Sequence, residues 1–213
     1  MPSQFFAPAA AEYCLAWLLA LEHSVCAFVS AGSAPPPPPP PPRRLKDLTV
    51  VLFGAGRVGR AVAARLRVAG VKTIYAIGRH ARDERFAAIA AMGSLASFAF
   101  VAKCVEAADC IINTLPASAA AEARGKLAPH LSLPIRGRGA TYISIGYDAA
   151  LLSPAELLAA VRSGSIRGAV VDDVHQAGIL RSGHGVDWRA AASHTAITVT
   201  PAMAGGGRAA GVT

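Results

Sequence analysis

Aromatic residues make up only 6% of the 213-residue chain, acidic side chains number 13, and no dense basic block occurs along it. So few aromatics leave little for stacking single-stranded bases, and no DNA- or RNA-reading motif can be placed; no nucleic-acid partner is expected. The four cysteines, Cys14, Cys26, Cys104 and Cys110, show neither C-x-x-C spacing nor histidines at zinc-finger offsets. Neither a metal site nor a disulfide framework is indicated, and a reducing, cytoplasmic compartment is the default. The apolar N-terminal stretch is broken by Glu12, Glu22 and His23, and nothing basic precedes it. It is too short between charges to span a bilayer or read as a signal, so no membrane is expected and a buried or interface helix is the better reading.

What is present is core material. Hydrophobic residues make up 53% of the chain, ample for a packed interior, and 21 Lys and Arg against 13 Asp and Glu leave a net charge of +8. That charge suits an anionic small molecule, or weak nonspecific attraction to nucleic acid. Residues 9 to 22 carry Ala and Leu at helical spacing, with Ala11, Leu15, Leu18 and Leu19 on one side, a face that needs a partner in the chain or on a second copy, making a homodimer a hypothesis. Residues 35 to 42 are eight prolines, a polyproline II spacer of about 25 Å at roughly 3.1 Å per residue. A tolerated surface insertion is favoured over a ligand for a proline-binding domain.

From Leu48 onward, short β-branched runs alternate with alanine-rich helical patterns. "LTVVLF", "TIYAI", "CIINTL", "TYISI", "GAVVD" and "AITVT" read as strands, with helices over 57–69, 81–91, 118–128 and 153–163. Continuously apolar strands separated by amphipathic helices indicate an α/β fold, a doubly wound parallel sheet covered on both faces. The expected organisation is an N-terminal helical segment (1–34), a polyproline loop (35–44), a Rossmann-like domain (45–206) and a tail (207–213).

"VVLFGAGRVGRA" places G-x-G-x-x-G between a strand and a helix, the context the dinucleotide fingerprint requires. Gly54 would permit the tight turn, Gly56 would let backbone approach a pyrophosphate, and Gly59 would allow close helix–strand packing. The pyrophosphate would rest on the helix N-terminus, where N–H groups and the macrodipole favour negative charge. The plainer alternative is a set of glycines used only for a tight connection. At the end of the second strand an acidic residue would accept hydrogen bonds from the ribose of NAD, but the chain reads "AIGRHARDE". Arg79 and Arg82 match a phosphate in charge and fork geometry, favouring NADP over NAD, although an exposed basic loop would look the same. Asp83 and Glu84 come slightly late for the ribose role.

With these motifs, Leu45 to Gly206 resembles the cofactor domain of the D-isomer-specific 2-hydroxyacid dehydrogenases. The resemblance lies in "LKDLTVVLFGAGRVGRAVAARLRVAG", "CVEAADCIINTLP", "LLSPAELLAAVRSGSIRGAVVDD" and "TPAMAGG". "GRHAR" is similar to the glyoxylate and hydroxypyruvate reductase branch, which tends towards NADPH, and "AAAEYCLAWLLAL" to the helix that leads into this domain from the family's first domain. The resemblance implies an oxidoreductase acting on a 2-oxo or 2-hydroxy acid. It implies cofactor contacts at Gly54, Ala55, Gly56, Arg57, Val58 and Gly59, with Gly78, Arg79 and Arg82 at the end of the second strand. Leu115 and Pro116 would lie near the adenosine, Gly146 and Tyr147 beside the nicotinamide, and Asp172 on its carboxamide; Asp173 is adjacent, and a carboxylate can also simply cap a strand end.

The family's chemistry uses an Arg that grips the substrate carboxylate and a His–Glu pair that supplies the proton, because hydride transfer to a ketone leaves negative charge on oxygen. All three positions differ here: Asp148 stands for the Arg, Ala177 for the Glu and Ala202 for the His. His175 and His184 are substitute donors only if they do not simply face solvent. The family also places a substrate domain ahead of the leading helix, whereas only "MPSQFFAP" precedes Ala9. The expectation is therefore a nicotinamide-dinucleotide-binding domain with weak or no activity; the alternatives are a noncatalytic NADP-binding or interaction protein, or an incomplete coding sequence.

Overall fold

The computed structural model describes residues 3–30, 41–78, 89–94, 97–116, 119–120, 123, 139–145, 151–172 and 187–201. Two helices, α1 (Ser3–Glu22) and α2 (Val25–Ser30), precede the sheet. After them come β1 (Thr49–Phe53), α3 (Arg57–Val68), β2 (Thr73–Gly78), β3 (Ala91–Ser94), α4 (Phe98–Ala107), β4 (Cys110–Asn113) and β5 (Ala140–Ser144). The remainder is α5 (Pro154–Arg162), β6 (Ile166–Asp172), α6 (Arg189–Ala192) and β7 (Ile197–Thr200). The seven strands form one sheet in the order β3-β2-β1-β4-β5-β6-β7, and every pairing is parallel.

Parallel strands need crossovers, and the helices that supply them cover both faces. Side-chain alternation divides β1 between two cores. Val51 and Phe53 join Ile111, Tyr142, Val171 and Trp188 on the α4–α5 face. Val50 and Leu52 join Ile74, Val62, Leu66, Cys14 and Leu18 on the face covered by α1 and α3. Helix starts obey local chemistry. Ser153 and Glu156 form a reciprocal capping box with Pro154 in the first turn of α5, fixing where that helix begins.

Helix α1 packs on α3 and reaches β5 and β6 of the same chain. Its buried face differs from the expected one: Ala7, Ala10, Ala11, Cys14, Leu18 and Leu21 point inward, Leu15 is half-buried and Leu19 is exposed. The 3.6-residue period accommodates either stripe, and the small residues Ala10, Ala11 and Cys14 let α1 approach α3 closely. The partner that this face demanded is thus α3. Two further expectations change. The helix placed at 81–91 does not reach its end, because Ala91 begins edge strand β3 after a non-helical Ile89 and Ala90; residues 81–88 lie outside the described ones. Helix α4, not expected from the sequence, occupies 98–107, its N-cap Ser97 accepting from Phe100 N. Ala119, Ala120 and Ala123 are helical, in keeping with the segment expected at 118–128, whose other positions lie outside the described residues. Prolines 35–40 and the 207–213 tail also lie outside them.

Among the described residues no helix is long and apolar enough to cross a membrane. The four cysteines are free thiols, three of them buried.

Candidate functional site

Because every strand runs the same way, Phe53, Asn113, Ser144, Asp172 and Thr200 end on one edge of the sheet. Strand β1 lies between β2 and β4, where the winding reverses, and the crevice beyond the carboxyl ends at such a point is where α/β sheets take ligands. The glycine turn fills this position, and its three glycines have different surroundings. Gly54 has φ +109°, a conformation other residues rarely adopt, and an added Cβ would lie 2.5 Å from Thr114 Oγ1. At Gly59 an added Cβ would fall 1.9 Å from the Gly54 carbonyl oxygen. Around Gly56 nothing lies within 4 Å of an added Cβ. Gly54 and Gly59 are therefore required by the protein's own packing, while Gly56 opens on space.

That space borders the start of α3. The first intrahelical bond runs from Arg60 N to the Gly56 carbonyl at 2.9 Å, so the amides of Arg57, Val58 and Gly59 come before it, and Gly56 as N-cap supplies no side-chain acceptor. A helix start without a side-chain cap, in a glycine turn with room in front of it, fits a phosphate group. Gly78 closes the neighbouring strand end, where an added Cβ would lie 3.2 Å from Ala55 Cβ.

Polar residues to which the sequence motifs assign no role hold this turn. Thr114 N donates to Phe53 O at 2.7 Å, and Thr114 Oγ1 lies 3.2 Å from both the Phe53 and Gly54 carbonyl oxygens. Asn113 Nδ2 donates to Ser144 Oγ at 3.0 Å, while its Oδ1 accepts from Leu115 N at 3.1 Å. These bonds pin the Leu115–Pro116 segment beside β1. Leu115 is buried and Pro116 exposed. The signal for them was a pair of polar residues, Asn113 and Thr114, closing an apolar strand, where backbone and side-chain groups need hydrogen-bond partners.

Asp172 ends β6 beside Thr200 of β7 and is buried. Thr200 Oγ1 donates to Asp172 Oδ1, Tyr13 O–H lies 3.4 Å from the same oxygen, and Tyr13 and Thr200 share a 2.5 Å hydrogen bond. Burial drives the Tyr13 phenol well above its ordinary value; the Thr200 bond opposes it, and the Asp172 charge adds a smaller upward push. Tyr13 therefore remains a protonated donor. Its partnership with Asp172 joins residues 159 positions apart and is invisible to motif reading.

The structure thus brings Gly54, Ala55, Gly56, Arg57, Val58, Gly59, Gly78, Leu115, Pro116 and Asp172 to the ends of β1, β2, β4 and β6. Arg79, Arg82, Gly146 and Tyr147 lie outside the described residues, as do Asp148, His175, Ala177, His184 and Ala202. Among the described residues no cluster of His, Cys, Asp or Glu is arranged to hold a metal ion.

The comparisons with known proteins agree with this architecture. A structure of a D-isomer specific 2-hydroxyacid dehydrogenase from Xanthobacter autotrophicus Py2, in complex with NADPH and MES, superposes with a TM-score of 0.71 at 22% identity, over 94% of this chain and 58% of that one. The NADPH-dependent glyoxylate/hydroxypyruvate reductase of Sinorhizobium meliloti, in complex with NADP and sulfate, gives 0.69 at 18% identity, over 96% and 61%. In sequence the chain is 33% identical over 167 residues to an uncharacterized protein encoded in the mprR 3′ region of Streptomyces coelicolor, covering 76% of this chain and 54% of that protein. The chain thus spans little more than half the length of these relatives. Residues 26–204 match the NAD binding domain of the D-isomer specific 2-hydroxyacid dehydrogenases, and the chain belongs to that family.

Proposed function

We propose that the chain binds a nicotinamide dinucleotide across the carboxyl ends of β1 and β4, NADP(H) in preference to NAD(H), and that its reduction of 2-oxo acids such as glyoxylate or hydroxypyruvate is weak or absent. The observation that carries the reading is the contrast within the glycine turn, crowded at Gly54 and Gly59 and open at Gly56. In this reading the backbone from Gly56 to Gly59 receives the pyrophosphate, the Leu115–Pro116 segment borders the adenosine, and Gly146, Tyr147 and Asp172 face the nicotinamide. The bound cofactor supplies a hydride. Arg79 and Arg82 come directly after β2, where guanidinium groups suit a 2′-phosphate, and the NADPH and NADP bound to the two dehydrogenase structures lend this preference support.

The chain's own residues limit the chemistry open to a bound cofactor. Asp148, where the family's Arg would grip the substrate, sets a carboxylate against a carboxylate, a repulsion of up to roughly 4 kcal/mol at about 4 Å and an effective dielectric near 20. Ala177 and Ala202 carry no proton to give. Binding without turnover is accordingly the second reading, a noncatalytic NADP-binding protein. A fluorescence titration of the purified chain with NADPH and NADH, and then with glyoxylate and hydroxypyruvate, tests both parts. Tight NADPH binding without oxidation is expected; no binding of either nucleotide defeats the proposal, and rapid oxidation defeats its catalytic half. Tighter NADH than NADPH binding removes the role given to Arg79 and Arg82.

A further inference from the structure

Tyr13 belongs to α1, yet its hydroxyl reaches the carboxyl edge of the sheet, 2.5 Å from Thr200 Oγ1 and 3.4 Å from Asp172 Oδ1. Each hydroxyl has one proton. Since Thr200 donates to Asp172 Oδ1, its oxygen is left to accept from Tyr13. The chain of bonds therefore runs from Tyr13 through Thr200 to Asp172, and the hydroxyl that donates to the carboxylate is itself held by Tyr13. A carboxylate is a broad rotor about its last side-chain torsion, and a donor that is itself fixed in place narrows that freedom. Bonds in series to a charged acceptor strengthen one another in a buried setting.

We infer that Tyr13 is a positioning residue: through Thr200 it fixes the orientation of the Asp172 carboxylate, and so sets how tightly the nicotinamide end of the dinucleotide is held, without touching the dinucleotide itself. The inference rests on the proposed reading of the glycine turn and of Asp172. It gives α1 a part in the site beyond covering α3, because a helix that precedes the whole sheet in sequence braces the side of the crevice opposite the glycine turn.

Tyr13→Phe tests it, since the ring and its edge-on contact with Trp17, 6.1 Å between centroids, are kept and only the hydroxyl is lost. Dissociation constants are measured for NADPH and for 2′-phospho-ADP-ribose, which has the same phosphates and no nicotinamide. The expected result is NADPH binding weakened by about tenfold, equivalent to roughly 1.4 kcal/mol, with the fragment unchanged. Thr200→Val interrupts the same chain and should give the same selective loss, the double variant adding little more. Unchanged NADPH binding, equal weakening of both compounds, or loss of folding on removing this one hydroxyl would each overturn the inference. Failure of the unaltered chain to bind either compound overturns the reading of the glycine turn and this inference with it, a pattern distinct from the others.

Discussion

The two ends of the sheet are built from opposite materials. At the amino ends, Arg43 donates to both carboxylate oxygens of Glu22 at 2.6 and 2.9 Å, to Asp109 Oδ1 at 3.3 Å, and to the carbonyls of Asp109 and Gly139 at 3.0 and 3.1 Å. Asp109 also accepts from Thr49 N at 2.8 Å, and Arg167 lies 3.7 Å from Glu22. Burial opposes the charge on both arginines. At Arg43 the Glu22 bond, then Glu22 and Asp109 as charges, more than offset it; Arg167 has the weaker hold on Glu22 and its pKa is lowered. The charged groups at this end are drawn into closing the fold, and the return of the chain after the proline run is anchored there. At the carboxyl ends the material is glycine backbone and small polar side chains, with space left at Gly56. One end uses its charge internally, and the other ends in a glycine turn with open space beside Gly56.

Replacing Glu22 attacks the first end. Glu22→Ala leaves two buried guanidinium groups without their shared carboxylate, and should cost about 3–5 kcal/mol in urea denaturation. NADPH affinity per folded molecule should be unchanged, and a large loss of affinity would show that the ends are not independent. The glycines break the second end in two ways. Gly59→Ala drives a Cβ into the Gly54 carbonyl and should cost about 1–3 kcal/mol while abolishing nucleotide binding. Gly56→Ala meets no neighbour, so its stability should change by less than about 1 kcal/mol, while NADPH binding weakens by about tenfold. Equal effects of the two alanines on stability would refute the contrast.

Titration sharpens the comparison further. Burial pushes the Cys104 thiol up to about 11 and the Cys110 thiol, near the amino-end cluster, up to about 12, from an ordinary 9.0. Above pH 9 the unfolded chain releases protons that the folded chain retains, so this contribution is intact below about pH 9 and is lost as pH rises through 11 to 12. Denaturation midpoints should fall from about pH 8 to about pH 10.5, and Cys110→Ala should flatten the decline. A thiol reagent at about pH 8 should modify half-exposed Cys26 well before the buried Cys14, Cys104 and Cys110. The smallest effect is expected at the exposed Arg65–Glu12 pair, 2.8 Å apart, where Glu12→Gln should change stability by less than about 1 kcal/mol.

Six of the seven strands were legible because buried parallel strands are runs of β-branched residues. Strand β3, "AMGS", has none and lies at the sheet edge, where it pairs with β2 and packs against α4. Helix α4, "FAFVAKCVEA", was missed although Val101, Cys104 and Val105 bury one face at helical spacing, its aromatic and β-branched residues being poor helix formers. The glycines were found by spacing, and the structure assigns each its surroundings. Thr114 and Tyr13 lie in stretches that carry the family resemblance, but their partners, 60 and 159 residues away, could not be read from it.

The sequence alone determined the alternation of strand and helix and the placing of a glycine turn between β1 and α3, since these are local patterns. Tertiary structure decided which face of α1 is buried, what closes the polyproline excursion, and what engages Asp172. Each of those is settled by a contact between residues distant in the chain, and local periodicity carries no information about which distant surface will cover it.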